Sequence, residues 1–192
     1  MQIEKLNVED VVSSSLTKTI GSGDSARAHG HYSLECRDSE GNLKWVMDGK
    51  NLVVNQGLQD MNTKYFTGSG YTATWYIGLY GSGSTNNPLA TDTAASHPGF
   101  TEITPYSNST RPACTFGTAT TADPSVISNT LSPAAFNINT SATVGGAFLI
   151  SNNTPGGTSG VLFSASDFQA PGDRVVANGD VLNVTYSFSL DA

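Results

Sequence analysis

A chain of 192 residues fits one compact domain with room for a short appendage, since single cores divide only beyond about 250 residues. Charged residues make up 13% of it, against about 25% in an average soluble domain, and 9 Lys and Arg face 16 Asp and Glu for a formal net charge of −7. This balance argues against nucleic-acid binding, which needs cations on phosphates, no run approaches the roughly 20 apolar residues of a membrane span, and two cysteines are too few for a disulfide framework or a complete zinc site.

Residues 1–28 carry no sustained periodicity and include SSSLTKTIGSGDS, a stretch too poor in large apolar groups to offset its own ordering entropy. They read as an extended N-terminal arm, ordered only by draping over a neighbour. Glu4, Glu9 and Asp10 stand where a secretory leader needs a basic end and an apolar run, so cytoplasmic synthesis is expected.

Residues 29–192 read as the folded body. HYSLEC and NLKWVM both alternate apolar and polar side chains around the turn-forming DSEGN, the pattern of a β-hairpin. In the next stretch Val54, Leu58 and Met61 recur at helical spacing, which predicts a helix near 51–64 with Asn51 as its cap, although Gly57 costs about 1 kcal/mol relative to Ala.

Beyond Gly70 the chain reads as short strands between turns: TATWYIGLY, FTEITPY, RPACTFGTA, PAAFNIN, TVGGAFLIS, GVLFSAS and VLNVTYSFSL. The fold class is therefore all-β, a jelly-roll-like or antiparallel β-sandwich with one short helix and the N-terminal arm. Residues 81–98, longer than most loops inside a domain, are expected to be an interaction loop. In TWYIGLYG, alternation sends Trp75, Ile77 and Leu79 to one face and Tyr76 and Tyr80 to the other.

A search for chemistry finds little. His29 and His31 share a strand face but lack a third metal ligand, so no metal and no cofactor is expected. No serine sits in a G-x-S-x-G elbow, and most of the aspartates after Tyr65 occur in turn contexts such as TADPS, APGDR and ANGD, leaving no catalytic residues to name. Cys36 and Cys114 read as buried free thiols, with one bridge between them as the alternative.

Cations are unevenly placed, since after Tyr65 only Arg111 and Arg174 remain. Arg111 is either an interface anchor or one half of a core-edge ion pair with an acid such as Glu102. Contact hot spots are enriched in Trp, Tyr and Arg, so Arg111, Tyr106, Glu102 and Trp75 are the candidate interface residues.

The succession NLVVNQGLQDM, TWYIGLYG, ATDTAASHPGFTEITPYSNSTRPACTFG, VGGAFLISNNTPGGTSGVLFSA and ANGDVLNVTYSFSL, spanning roughly residues 30–190, resembles a family of structural proteins of tailed bacteriophages. The resemblance implies a non-enzymatic component of the virion, made in the bacterial cytoplasm and most often described as a structural, capsid-decorating or tail-associated protein. The expected function is a capsid cement protein on the head surface, bridging neighbouring subunits of the major capsid protein and associating with copies of itself as a homo-oligomer such as a trimer. The alternative is a tail- or fibre-associated adaptor. Neither nucleic acid nor membrane is expected as a partner.

Overall fold

The structure is a computed structural model and describes residues 26–68, 70, 74–83, 87–168 and 172–191. The arm as predicted lies almost wholly outside these residues. Its boundary moves, because Arg27 and Ala28 already pair with Asp191 and Leu190 at the start of the first strand.

Among the described residues twelve strands and one helix form two antiparallel sheets packed face to face. The first sheet is built on β1 (Arg27–Arg37) and β12 (Val181–Asp191), which pair along their whole length. Outside β1 lies β2 (Leu43–Lys50), which completes the predicted hairpin with Leu34 opposite Met47. Along the other edge of β12 lie β8 (Ala134–Asn137) and β7 (Ser125–Ser128).

The second sheet runs β3 (Leu52–Val53), β10 (Leu162–Asp167), β9 (Ala142–Ile150), β4 (Trp75–Gly81) and β5 (Glu102–Ile103), with β11 (Arg174–Val176) beside β9 and β6 (Ala113–Cys114) beside β4. The helix, α1, spans Asn55–Thr67.

The two sheets bury their strands differently, for a reason visible in the residues. Along β12, Leu182, Val184 and Tyr186 are fully buried while Asn183 and Thr185 between them are half-buried, because this sheet has one face on the core and one in solvent. In β9 every residue from Val144 to Ile150 is buried, because the second sheet is covered on both faces.

One face meets the first sheet, where Tyr32, Leu34, Phe136, Leu149 and Tyr186 share a core with Ile77 and Leu79. The other carries Tyr76, Tyr80, Phe148 and Ile150 and is capped by Val54, Ala94 and Phe100. The alternation read in TWYIGLYG is the one observed.

The capping segment corrects the reading of the long loop. Residues 87–100 do not project as a free interaction loop but fold back over the sheet. Asp92, fully buried, accepts bonds from the Leu89 and Gly99 amides at 2.9 and 3.3 Å. Gln56 of α1 holds the segment from the other side, its Oε1 accepting from the amides of Ala94 and Leu162 at 2.9 and 2.8 Å. A carboxylate and an amide side chain thus supply partners that a long backbone excursion would otherwise lack.

The start of the helix is also displaced from expectation. Leu52 and Val53 pair with Ala165 and Ser164 of β10, and Val54, in extended conformation, stands at the N-cap without a side-chain bond. Asn51 does not cap; its Nδ2 donates to the Tyr186 hydroxyl at 3.0 Å. Sheet pairing therefore outcompetes helix propensity for the first apolar residues of the segment.

Cys36 and Cys114 are free and buried, as expected, and burial pushes both thiols up to about 12, with Asp180 adding to the effect at Cys36. The ANGD turn before β12 is closed by Asp180, which is 4% exposed and accepts bonds from Lys44 Nζ at 2.5 Å and the Ala177 amide at 2.7 Å. Burial raises the carboxyl, but Lys44 and the Ala177 amide outweigh it and hold Asp180 below its ordinary range.

A carboxyl depressed in the folded state contributes stability above its unfolded pKa of about 4 and loses it as pH falls through the folded value. Asp180→Asn is therefore expected to cost about 1–3 kcal/mol at pH 7, a difference that narrows as pH falls below about 4, where the unfolded carboxyl takes up its proton first. Urea unfolding of both proteins across pH 3–7 checks this, and a constant difference would contradict it.

Candidate functional site

Helix α1 packs most closely on the sandwich at Gly57. Gly57 is its one buried residue, set directly against the backbone of Phe163 in β10. A side chain there would meet the Phe163 carbonyl oxygen, with Phe163 Cα at 2.9 Å, so the close approach requires glycine. The helix ends at Gly68, whose left-handed φ of 65° terminates it.

Between the helix from Asp60 to Phe66 and the sandwich lies an apolar groove of about 490 Å3. Its lining includes Leu149, Phe163 and Tyr186 from the core, with Trp75, Phe116, Ile127 and Phe188 completing the apolar surface. The rings touch in two sets: Trp75 meets Phe163 edge-on at 5.5 Å and Phe163 meets Phe188 at 5.4 Å, while Phe116 meets Tyr186 at 6.1 Å. Such tilted and edge contacts suit the aromatic quadrupole and hold the rings in fixed positions.

Met61, Tyr65 and Phe66 of α1 also line the groove, and Tyr65 and Phe66 are 73% and 78% exposed, in edge contact with each other at 5.0 Å. Polar contributions are few. Lys64 and Asp60, also lining residues, pair with each other at 3.2 Å. Ala26, where the described chain begins, lines the groove as well.

Below the groove a buried polar relay ties the sheets together. Ser164 Oγ of β10 lies 3.0 Å from the Tyr32 hydroxyl and 3.3 Å from that of Tyr186. Burial pushes both phenols well above their ordinary range, so the relay stays neutral.

The four residues singled out from the sequence separate into two groups. Trp75 lines the groove, half-buried. Arg111, Glu102 and Tyr106 lie inside the fold and do not form a contact surface. Arg111 is 1% exposed and forks onto Glu102, with Nε donating to Oε1 at 2.8 Å and an Nη to Oε2 at 2.7 Å.

The remaining guanidinium donors reach the carbonyls of Asn152 and Gly157 at 2.8 and 3.2 Å, and the group lies 5.4 Å from the Phe148 ring centre. The ion-pair alternative for Arg111 is the one observed. Tyr106 packs edge-on against Phe136 at 5.0 Å, its hydroxyl pushed up to about 12 by burial, with Glu102 adding and Arg111 opposing.

Tyr65 and Phe66 were not read as contact residues in the sequence.

Among the described residues no three His, Cys, Asp or Glu side chains come together to hold a metal ion, and no helix is long and apolar enough to cross a membrane. His29 lies 3.2 Å from Asp191 on the exposed end of β1, and His31 lies 4.0 Å from Asp48. Neither comparison with protein-family models nor comparison with curated proteins finds a match to this chain.

Proposed function

We propose that the chain is a non-catalytic decoration protein of a tailed-phage capsid, which binds the outer shell and joins neighbouring subunits, and that the groove beside α1 is where it receives protein. The observation that carries this reading is the pair of rings at the groove. Tyr65 and Phe66 stand largely in water beside an apolar floor, in a chain whose composition is otherwise rich in small polar residues.

Exposed aromatics next to a concave apolar surface are the usual makings of a contact hot spot. Their full burial would remove about 150–250 Å2 each from water, a gross gain of several kcal/mol before the cost of association. The resemblance of the sequence blocks to phage structural proteins supplies the shell as the partner, and the low charge density suits a permanent assembly.

The test is co-sedimentation with shells stripped of their decoration protein. Wild-type protein is expected to pellet with the shells, and Tyr65→Ser with Phe66→Ser to bind at least about tenfold more weakly while unfolding at the same temperature. A wild-type protein that stays in the supernatant rules the reading out. Immunogold label confined to tails would replace it with the tail-adaptor reading.

A further inference from the structure

We infer that the groove receives residues 11–20 of a second copy of this chain, so that copies are joined by exchanged N-terminal arms. This rests on the reading of the groove as a protein-binding surface and names its occupant. Three observations point to it.

The first is where the described chain begins. Ala26 itself lines the groove, so the 25 residues before it start from the groove's edge. When two copies bring their grooves face to face, each arm is rooted beside the partner's groove, and the same contact is made twice by symmetry. The linking residues GSGDS impose little stiffness, and at about 3.3 Å per residue Ile20 lies within roughly 20 Å of Ala26.

The second is chemistry. The groove is apolar, and its lysine and aspartate are already paired with each other. The stretch VVSSSLTKTI offers Val11, Val12, Leu16 and Ile20 with a single charge, Lys18, whereas MQIEKLNVED before it carries four charges in ten residues. Only the nearer stretch matches a surface with no free counter-charge to offer.

The third is the height of the two rings. A segment lying on the groove floor contacts the inner edges of Tyr65 and Phe66, and a second body above it is needed to cover rings that are 73% and 78% exposed. Exchange between facing copies supplies both the segment and the body.

The test uses the full-length protein with photoreactive p-benzoylphenylalanine in place of Phe66, prepared in normal and heavy-isotope forms and irradiated as an equilibrated mixture. Crosslinks are expected to land on residues 11–20 and to join light with heavy chains. Leu16→Asp with Ile20→Asp is expected to weaken self-association about tenfold or more by light scattering, with unchanged unfolding temperature.

Crosslinks to the arm confined to single chains, or crosslinks that miss the arm, overturn the exchange. These outcomes separate from the decoration reading: shell binding by a protein whose arms do not exchange overturns the inference alone, and exchanged arms on a protein that ignores shells overturn the decoration reading alone.

Discussion

Arg111→Ala is expected to destabilise the protein by about 3–5 kcal/mol, a large share of the 5–15 kcal/mol that holds a domain of this kind together. The reason is what remains after the truncation. Glu102 has a side chain only 7% exposed and would be left buried without its partner, while the carbonyls of Asn152 and Gly157 would lose their donors.

Glu102 also accepts the Gly156 amide at 2.7 Å, so the loop after β9 is held through both members of the pair. Removing one partner of a buried pair costs far more than the pair contributes against an apolar substitute. Arg111→Lys keeps the charge but loses the fork, and is expected to recover only part of the stability. Urea unfolding of the three proteins measures this. An alanine variant as stable as wild type would show that the pair is not coupled to folding.

The second large effect reverses what helix propensity alone predicts. In an isolated helix Gly57→Ala gains about 1 kcal/mol. Here the new methyl meets the backbone of Phe163, with its Cα at 2.9 Å and its carbonyl carbon at 3.0 Å.

Phe163 cannot retreat easily, since its carbonyl accepts the Val54 amide at 3.0 Å and its neighbours pair with β3 and β9. Overpacking against fixed backbone typically costs 1–3 kcal/mol, so a net loss of stability is expected. The helix would be levered off the sheet, moving the wall of the groove. Thermal unfolding gives the sign, and an alanine variant that melts higher than wild type would mean that the helix is free to shift outward.

Much of the fold was legible in the residues because alternation has only two phases. Trp75, Ile77 and Leu79 could be assigned to one face and Tyr76 and Tyr80 to the other without any partner in view, and the hairpin of β1 and β2 followed from its turn. The segment TVGGAFLIS was legible as a strand, but that β9 is covered on both faces came only from the structure.

Short strands were not legible in the same way. Ser125–Ser128 and Arg174–Val176 are strands because β12 and β9 offer them an edge, not because their own residues demand it. For the same reason Leu52 and Val53 left the predicted helix for β10.

The contact residues show the same division. A lone arginine in a cation-poor segment is a signal that it has a dedicated partner, but its neighbours in sequence do not say whether that partner lies inside or outside. Strand pairing and the return of the loop after β9 place the acid and two carbonyls around it, and so take Arg111 and Glu102 out of any interface. Trp75 remained at the groove, and Tyr65 and Phe66 joined it because the helix is seated against Phe163 at Gly57.

By itself the sequence determined the class of the fold, the faces of its long strands and the scarcity of cations after Tyr65, since these depend on local pattern and composition. Which side chains are buried, which loop is a cap and which rings are left in water were decided by the tertiary structure, because burial depends on partners distant in the chain and on how closely two backbones approach.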